Sequence, residues 1–504
     1  MPSPRLRWIA ALATGLILAA SQPPLTLWWL LPAGVAMLHV LWRAAETGRR
    51  AFWTGWIAGA AYFTGTLFWI VEPFLIEPEK FAWMIPFALP GLAGGLALFW
   101  GGALALARRI GGRGRTRPLA FATALMGAEA LRGVLLTGFP WAQPGYALVD
   151  VPPIQMAAHV GIHGVTFLSL IAGSLLGAAL AAGPARRRAT CAAAALAIGA
   201  GSWIAGAARL ADALPPRGEP LAVGLIQPNV PQEEKWHPDL RDAQLADLLE
   251  KTRTLSERGA DVVVWPEAAT PFPLAEMPDL RATVARHLRP GGVLLAGGIR
   301  IEGRGTARQA VRNSLLAIGS GGALLTSYDK QHLVPFGEYL PFETILTGLG
   351  LRAVISLPGG FSRGEAGNRV VGAGTLPPFG AMICYEAIFP HEILDRASPA
   401  QWLVHVTNDA WFGRLAGPQQ HLAQTRVRAI ERGLPVARAA NTGISAMIDS
   451  RGRIVESLPL DTSGTLLSVL PSPAPATLYM VYEESIFLIL ITVAVMVVLL
   501  FRRE

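Results

Sequence analysis

Three ionisable side chains of complementary chemistry follow short apolar runs in the second half of the chain. Glu267 lies in DVVVWPEAATPF, Lys330 in SYDKQHLVPFGEYLP and Cys384 in GAMICYEAIF. A carboxylate can take the proton of a thiol, and the thiolate can then attack a carbonyl carbon. An ammonium group can stabilise the oxyanion that forms. These three residue types therefore suit acyl transfer through a thioester, although the sequence pattern alone does not show that they converge.

The cysteines admit two interpretations. The chain has only Cys191 and Cys384, too few for a disulfide framework. An isolated buried cysteine is commonly a small hydrophobic core residue, so Cys384 is either a core thiol or a nucleophile. Cys191 lies in an Ala-rich apolar run and is interpreted as a packing residue. No CxxC pair or Cys/His cluster has the spacing of metal ligands, so no metal is predicted.

Elements of a layered domain surround these residues between positions 213 and 475. The β-rich runs there are LAVGLIQ, DVVVW, GVLLAGGI, NSLLAIG, ALLTSYD, GAMICY, WLVHVTN, PVARAAN and ISAMIDS. Helix-like stretches such as DLRDAQLADLLEKTRTLSERG and GPQQHLAQTRVRAIERG lie between them. This alternation predicts an α/β domain, whose strand ends commonly feed loops that carry sites.

The remainder of the chain has the composition of a membrane protein. Its 504 residues are 52% hydrophobic and 15% charged, against about 25% charged in typical soluble domains. Apolar runs near the length needed to cross a bilayer lie at 8–20, 25–42, 52–70, 87–107, 118–136, 160–182, 189–208 and 485–501. We therefore predict a seven-span bundle at 1–212, the α/β domain at 213–475, and an eighth span with a short tail at 476–504.

The first apolar run also fits a cleaved signal peptide, because Arg5 and Arg7 precede it and AAS follows it. Six further spans favour a retained helix. Basic residues flank alternate spans, which predicts cytoplasmic N- and C-termini and an α/β domain on the non-cytoplasmic side. For a bacterial inner membrane, that side is the periplasm. Loop and terminal positions hold fifteen of the 43 Lys and Arg residues, so the net charge of +8 reflects topology and not nucleic-acid binding.

Long motifs around the three residues resemble the apolipoprotein N-acyltransferase family, whose members are membrane-embedded relatives of the nitrilase superfamily. The motifs are WPEAATPF, YDKQHLVPFGEYLP and CYEAIFP, with QPNVPQEEKW before them and TNDAWFG after them. The resemblance covers the whole chain. It implies a polytopic helical bundle of about eight spans and a nitrilase-like αββα sandwich.

The same resemblance implies roles for individual residues. Cys384 corresponds to the nucleophile, Glu267 to the general base and Lys330 to the oxyanion stabiliser. Further positions are expected to bind substrate or support the site: Trp236, Glu338, Tyr385, Glu386, Trp411 and Phe412.

Several of these positions keep a structural alternative. Glu338 and Glu386 could simply hold loops, and Trp236 and Tyr385 could be packing aromatics. The stretch NDAWFGRLAGPQQH is either a mobile lid whose apolar tip meets lipid or an exposed turn. Within the fifth predicted span, Glu129 and Arg132 are either functional charges or a structural ion pair.

The implied reaction moves an acyl chain from a membrane phospholipid to the α-amine of a diacylated apolipoprotein, with ping-pong kinetics. It needs no cofactor, and we expect a monomer that contacts membrane lipid. Two other functions stay open. One is a membrane-tethered amidase or nitrilase acting on small amides. The other is a non-catalytic lipoprotein-binding or transport protein.

Overall fold

The structure is a computed structural model that describes residues 4–111, 114, 116–216, 218–306, 309–348, 360–367, 369–396 and 398–501. It divides into two compact units. The first, called the helical unit, comprises Met1–Ala213, Leu415–Val427 and Thr477–Glu504. The second, called the sandwich unit, comprises Leu214–Arg414 and Arg428–Ala476.

The helices and strands alternate along the chain in two blocks. The α-helices are α1 (Pro4–Ala20), α2 (Leu30–Ala44), α3 (Gly48–Leu67), α4 (Pro78–Phe81), α5 (Ile85–Ile110), α6 (Arg117–Arg132), α7 (Ala157–Leu180), α8 (Ala185–Ala211), α9 (Arg241–Glu257), α10 (Pro278–Ala285), α11 (Glu343–Gly348), α12 (Gly417–Arg432), α13 (Leu478–Tyr482) and α14 (Glu484–Leu500). The β-strands are β1 (Ala222–Gln227), β2 (Val262–Trp265), β3 (Val293–Glu302), β4 (Ala310–Gly319), β5 (Leu324–Asp329), β6 (Val370–Val371), β7 (Phe379–Ile383), β8 (Trp402–Thr407), β9 (Val436–Ala440), β10 (Ala446–Ile448), β11 (Ile454–Ser457) and β12 (Gly464–Val469).

The helical unit has a helix at each of the eight predicted spans. Among the described residues, four segments are long and apolar enough to cross a bilayer: Gly48–Leu75, Pro78–Ile110, Pro152–Leu180 and Ala185–Ala211. Helices α2 and α14 are apolar but shorter. The chain is therefore a membrane protein, and the count of eight spans stays a prediction.

Small residues let helices α1, α3 and α5 approach closely. A Cβ added to Gly15 would lie 2.2 Å from the carbonyl oxygen of Ala58, and one added to Gly55 would lie 2.6 Å from that of Trp100. Small residues are typical of helix contacts in membranes, where close packing of backbones drives association. The apolar runs of the sequence therefore form a packed bundle.

Glu129 and Arg132 form a buried ion pair on one side of α6. Glu129 accepts a hydrogen bond from the indole of Trp100 at 2.7 Å, and Arg132 donates to the main-chain oxygens of Phe139 and Trp141 at 2.5 and 2.8 Å. Buried charges are costly unless they are paired and hydrogen-bonded. These contacts favour the structural interpretation of the pair, which fastens α6 to the loop that follows it.

The first part of α12 belongs to the helical unit, although strands β8 and β9 on either side of it belong to the sandwich unit. Gln420, 4% exposed, holds this segment. Its Oε1 accepts hydrogen bonds from the indoles of Trp69 and Trp141 at 3.1 and 2.8 Å. Its Nε2 donates to the carbonyl oxygens of Pro23 and Thr66, both at 3.0 Å. One amide therefore satisfies four buried polar groups.

The sandwich unit contains two six-stranded sheets. Their strand orders are β12-β1-β2-β3-β4-β5 and β11-β10-β9-β8-β7-β6. A shared core lies between the sheets, with Leu225 and Val264 from the first and Ala381 and Val404 from the second. On the outer face of the first sheet, apolar residues of α9 and α10 form a separate core. This confirms the predicted α/β fold with paired sheets.

The strands that lead to Glu267, Lys330 and Cys384 all run in the direction of the parallel central strands of their sheets. Strands β1, β2 and β3 run parallel, and β5 shares their direction because two antiparallel pairings separate it from β3. In the second sheet, β7, β8 and β9 run parallel. Such strands are buried on both faces, which explains continuous apolar runs such as VVVW. Glu267, Lys330 and Cys384 all follow carboxyl ends of these strands.

Candidate active site

Glu267 lies two residues beyond β2, where the chain turns sharply. The next residue, Ala268, has a φ of 44°, in the left-handed region. Strand β3 passes close by: a Cβ added to Gly297 would lie 2.3 Å from the carbonyl oxygen of Pro266 and 2.7 Å from the Cα of Glu267. Gly297 therefore makes room for the glutamate to reach the interior.

The Glu267 carboxylate is 6% exposed and fully hydrogen-bonded. Its Oε1 accepts from Lys330 Nζ at 3.1 Å and from Asn313 Nδ2 at 2.7 Å, and its Oε2 accepts from the Asn408 main-chain N–H at 2.9 Å. Although burial would raise it, the pKa of Glu267 lies below its usual range because Lys330, Lys235 and Asn313 favour the charged form. The carboxylate is therefore ionised at neutral pH and can accept a proton.

Lys330 is 1% exposed and bridges two carboxylates. Its Nζ lies 3.1 Å from Glu267 Oε1 and 3.0 Å from Glu338 Oε1. Burial alone would lower the pKa of Lys330, but Glu267 and Glu338 outweigh it and raise the pKa above its usual value. The side chain is thus a permanent cation at the site.

Glu338 is bonded directly to this centre. Its Oε1 accepts from Lys330 and, at 3.1 Å, from Asn313 Nδ2. Its Oε2 accepts from the main-chain N–H of Val334 at 2.8 Å, which closes the loop after Lys330. The structure therefore gives Glu338 both a loop contact and a contact with the cation.

Cys384 directly follows β7 and begins a 3₁₀ turn that ends at Ile388. The residue is 4% exposed and has a φ of 49°. This left-handed conformation costs about 1–2 kcal/mol for a residue with a Cβ. Strained positions between a strand and a helical turn are typical of nucleophiles that must be held at a fixed angle.

Cys384 is neutral at neutral pH, whereas Glu267 and Lys330 are charged. Burial raises the pKa of Cys384 most and ionised Glu267 raises it further, whereas Lys330 and a hydrogen bond with Thr407 lower it. The net pKa is well above the usual value, so the thiol is protonated at neutral pH. Since the thiolate is the reactive form, this cysteine needs a base, and Glu267 is a charged carboxylate whose field acts on the thiol.

Glu386 ties Cys384 to the loop after Lys330. Its Oε2 accepts from the main-chain N–H of Ile383 at 2.8 Å. Its Oε1 accepts from Tyr328 Oη and from the Gln331 main-chain N–H, both at 2.8 Å, and pairs with Arg369. None of these four contacts is with the side chain of Glu267, Lys330 or Cys384. These contacts support the loop-holding alternative for Glu386.

The four aromatic candidates differ in exposure. Tyr385 is buried and contacts the rings of His332 and Phe389 edge-on. Trp236 is 41% exposed. Trp411 and Phe412 are half-buried in a 3₁₀ turn ended by a glycine, and Phe412 packs against the inter-sheet core. Substrate contact by these residues, and the lid, stay predictions.

Lys235 is a neighbour of the site that the sequence analysis missed. It is 4% exposed, and its Nζ donates to the main-chain oxygen of Glu267 at 3.1 Å. Burial lowers the pKa of Lys235 to about 8, although Glu267 and Cys384 favour its charged form. The sequence offers no signal for it, because QEEKW is a polar stretch that is typical of an exposed turn.

A buried polar chain behind Cys384 was also missed. His405 Nε2 lies 3.2 Å from the carbonyl oxygen of Cys384, and His405 Nδ1 lies 2.8 Å from an Nη of Arg438. Arg438 also donates to Asp409 at 2.5 Å, and Asp409 accepts from Thr407 at 2.9 Å. His405 interrupts the otherwise apolar run WLVHV, and that interruption is a signal which could have indicated it.

Sequence comparisons match both parts of the chain to known families. Residues 14–175 match the profile of the apolipoprotein N-acyltransferase N-terminal domain, and residues 222–473 match that of the carbon-nitrogen hydrolases. The apolipoprotein N-acyltransferase of Brucella melitensis is 39% identical over 494 residues, covering 93% of this chain and 90% of the relative. That of Rhodopseudomonas palustris is 37% identical over 518 residues, covering 99% and 95%.

Among solved structures, an amidase from Nesterenkonia sp. matches 51% of this chain and 93% of its own, with 20% sequence identity and a TM-score of 0.36. The sequence relatives cover nearly the full length of both chains and include the helical and sandwich parts. On this evidence, the chain belongs to the apolipoprotein N-acyltransferase family.

Proposed function

We propose that the protein moves an acyl chain from a membrane phospholipid to the N-terminal α-amine of a diacylglyceryl-cysteine apolipoprotein, through a thioester on Cys384. The observation that carries this proposal is the buried Glu267–Lys330 ion pair, with Lys330 Nζ 3.1 Å from Glu267 Oε1, whose charges act on the buried thiol of Cys384. The relatives that match over nearly the whole chain are named for this class of acceptor.

In the first half-reaction, Glu267 takes the proton from Cys384 and the thiolate attacks an ester carbonyl of the phospholipid. Lys330 faces the oxyanion that forms. When the carbon–oxygen bond breaks, the leaving alkoxide takes the proton from Glu267 and departs as a lysophospholipid. The acyl group is then held as a thioester, and the site is free for the second substrate.

In the second half-reaction, the neutral α-amine of the apolipoprotein attacks the thioester carbonyl. Glu267 accepts the proton of the attacking nitrogen and returns it to the Cys384 sulfur as the thioester breaks. The products are an amide and the free thiol. Because one substrate leaves before the other binds, ping-pong kinetics are expected.

Intact-mass analysis of the purified protein tests the chemistry. After incubation with a phospholipid of defined acyl chains, we expect a mass increase of one acyl group on Cys384, which a diacylated lipopeptide then removes. Cys384→Ala should lose the adduct. Cys191→Ala is the matched control and should retain it, because Cys191 lies in α8 of the helical unit.

The competing functions give different results. Hydrolysis of small amides without acyl transfer to the lipopeptide would identify an amidase. Binding or transport that is unaffected by Cys384→Ala, with no adduct on the wild type, would identify a non-catalytic protein. Either result would refute the proposed reaction.

We also infer an orientation in the inner membrane, with the sandwich unit in the periplasm. The clusters Arg49–Arg50 and Arg186–Arg188 lie at the first turns of α3 and α8, next to the α2–α3 and α7–α8 connections, as expected for the cytoplasmic ends of spans. A reporter fused near residue 300 should therefore be active in the periplasm, and one fused near residue 112 in the cytoplasm. The reverse pattern would contradict this orientation.

A further inference from the structure

The conformation of Cys384 requires support from its surroundings. A φ of 49° is unfavourable for a residue with a Cβ, and such positions persist only where neighbouring groups fix them. On the N-terminal side, the Ile383 N–H donates to Glu386 at 2.8 Å. On the other side, the Cys384 carbonyl oxygen lies 3.2 Å from His405 Nε2. His405 is therefore placed to hold the peptide unit that leaves the nucleophile.

The position of His405 follows from the sheet. It lies on β8, opposite Met382 of the parallel strand β7. Its chain neighbours Val404 and Val406 point into the inter-sheet core, so the alternation along the strand directs His405 to the other face. There His405 is fully buried, and its Nε2 contacts the carbonyl oxygen of Cys384, which lies two residues after Met382.

Arg438 determines which nitrogen of His405 carries the proton. Arg438 pairs with His405 in the register of β8 and β9, and its Nη1 lies 2.8 Å from His405 Nδ1. A guanidinium group only donates, so Nδ1 must accept. The proton is consequently on Nε2, which donates to the Cys384 carbonyl. Asp409 holds the guanidinium in turn, and Gly443 leaves room for it, because a Cβ there would lie 2.3 Å from Asp409 Oδ2.

We propose that His405, kept in one tautomer by Arg438, is a positioning residue that holds the Cys384 main chain in its left-handed conformation and so aims the thiol. The proposal rests on the proposed role of Cys384 as the nucleophile. His405 bonds to the main chain of Cys384, at its carbonyl oxygen. Its loss should therefore slow acylation without weakening phospholipid binding.

Two substitutions separate hydrogen bonding from packing. His405→Leu fills a similar volume but cannot donate to Cys384 or accept from Arg438. His405→Gln offers an amide N–H to Cys384 and an amide oxygen to Arg438. In single-turnover acylation by phospholipid, we expect the maximal rate to fall about 10- to 100-fold in His405→Leu, as for a small misplacement of a reacting group. The half-saturating phospholipid concentration should change less than about twofold, and His405→Gln should recover most of the rate.

His287→Leu is the matched control, since His287 follows α10 and its ring hydrogen-bonds to the main-chain oxygen of Thr283 in that helix at 3.0 Å. It should acylate as the wild type does. A wild-type rate in His405→Leu would overturn the proposal. Equal loss in the Leu and Gln variants, both folded by thermal unfolding, would also overturn it.

If His405→Leu does not fold, the tautomer of His405 in the wild-type protein still tests the proposal. In protein labelled with ¹⁵N-histidine, the His405 ring, assigned by loss of its signals in His405→Gln, should show the neutral tautomer with Nε2 protonated. A proton on Nδ1 would contradict the proposal. If the wild type forms no adduct on Cys384, the proposed function fails, whereas the tautomer result still tests the hydrogen-bond chain.

Discussion

Glu267→Gln is expected to lower the rate of Cys384 acylation by about 10²- to 10⁴-fold, the usual contribution of a general base. The amide keeps the size of the carboxylate and an oxygen for Lys330 and Asn313, but it cannot take the thiol proton. Because the pKa of Cys384 is raised by burial, few thiolates form without a base. The remaining activity should therefore increase with pH where that of the wild type is flat.

Single-turnover formation of the acyl adduct measures this effect before any amine is added. Glu250→Gln is the matched control, because Glu250 is exposed on α9 and pairs there with Arg253. It should leave the rate unchanged. Wild-type acylation by Glu267→Gln would show that another group takes the proton.

Lys330→Met is expected to cause the second large loss, in both rate and stability. The substitution removes the ammonium group that lies between the carboxylates of Glu267 and Glu338, whose side chains are only 8% and 12% exposed. Removing one partner of a buried ion pair costs about 3–5 kcal/mol of unfolding free energy. Loss of an oxyanion partner lowers the acylation rate by about 10²- to 10³-fold.

The pH dependence of Lys330→Met follows from the same contacts. In the wild type, the pKa of Glu267 is held below its usual range, so the base stays charged at mildly acidic pH. Without Lys330 that pKa rises. The remaining acylation should then decline, as pH falls, at a higher pH than in the wild type.

Acylation rates between pH 4 and pH 8 and thermal unfolding in detergent check both parts. Lys330→Arg keeps the positive charge and is expected to unfold near the wild-type temperature, although its broader head group should still slow acylation. If Lys330→Met lost acylation activity at the same acidic pH as the wild type and unfolded at the same temperature, the proposed role of this ion pair would be contradicted.

The fold could be predicted from the sequence where burial leaves an apolar signal. All nine β-rich runs contain strands, because the central strands are covered on both faces. Of the described strands, three were missed: β6, which has two residues, β11, whose four residues are all exposed, and β12. All three lie at an edge of their sheet, where fewer residues are covered on both faces and the apolar signal is weaker.

The motifs named residues that the structure brings together, whereas residues linked only through tertiary contacts were missed. Hydrogen bonds join Glu267, Lys330 and Glu338, and the catalytic roles of these residues stay predictions. Asn313 lies inside β4, and no local pattern indicates that its amide bonds to both glutamates. Likewise, the burial of Lys235 depends on the chain around Glu267, which is distant in sequence.

The assignment of the first part of α12 to the helical unit has a consequence for cutting the protein into fragments. A water-soluble fragment made from Leu214 to Ala476 would look complete in sequence, since it contains every strand and all three predicted catalytic residues. It would nevertheless remove Gln420 from Trp69 and Trp141. Gln420 would lose all four of its hydrogen-bond partners, and apolar residues of α12 that are buried in the intact chain, such as Leu422 and Ala423, would lose the helices that cover them. The predicted catalytic residues thus lie in one continuous stretch of sequence, but the compact unit that contains them is interrupted by Leu415–Val427.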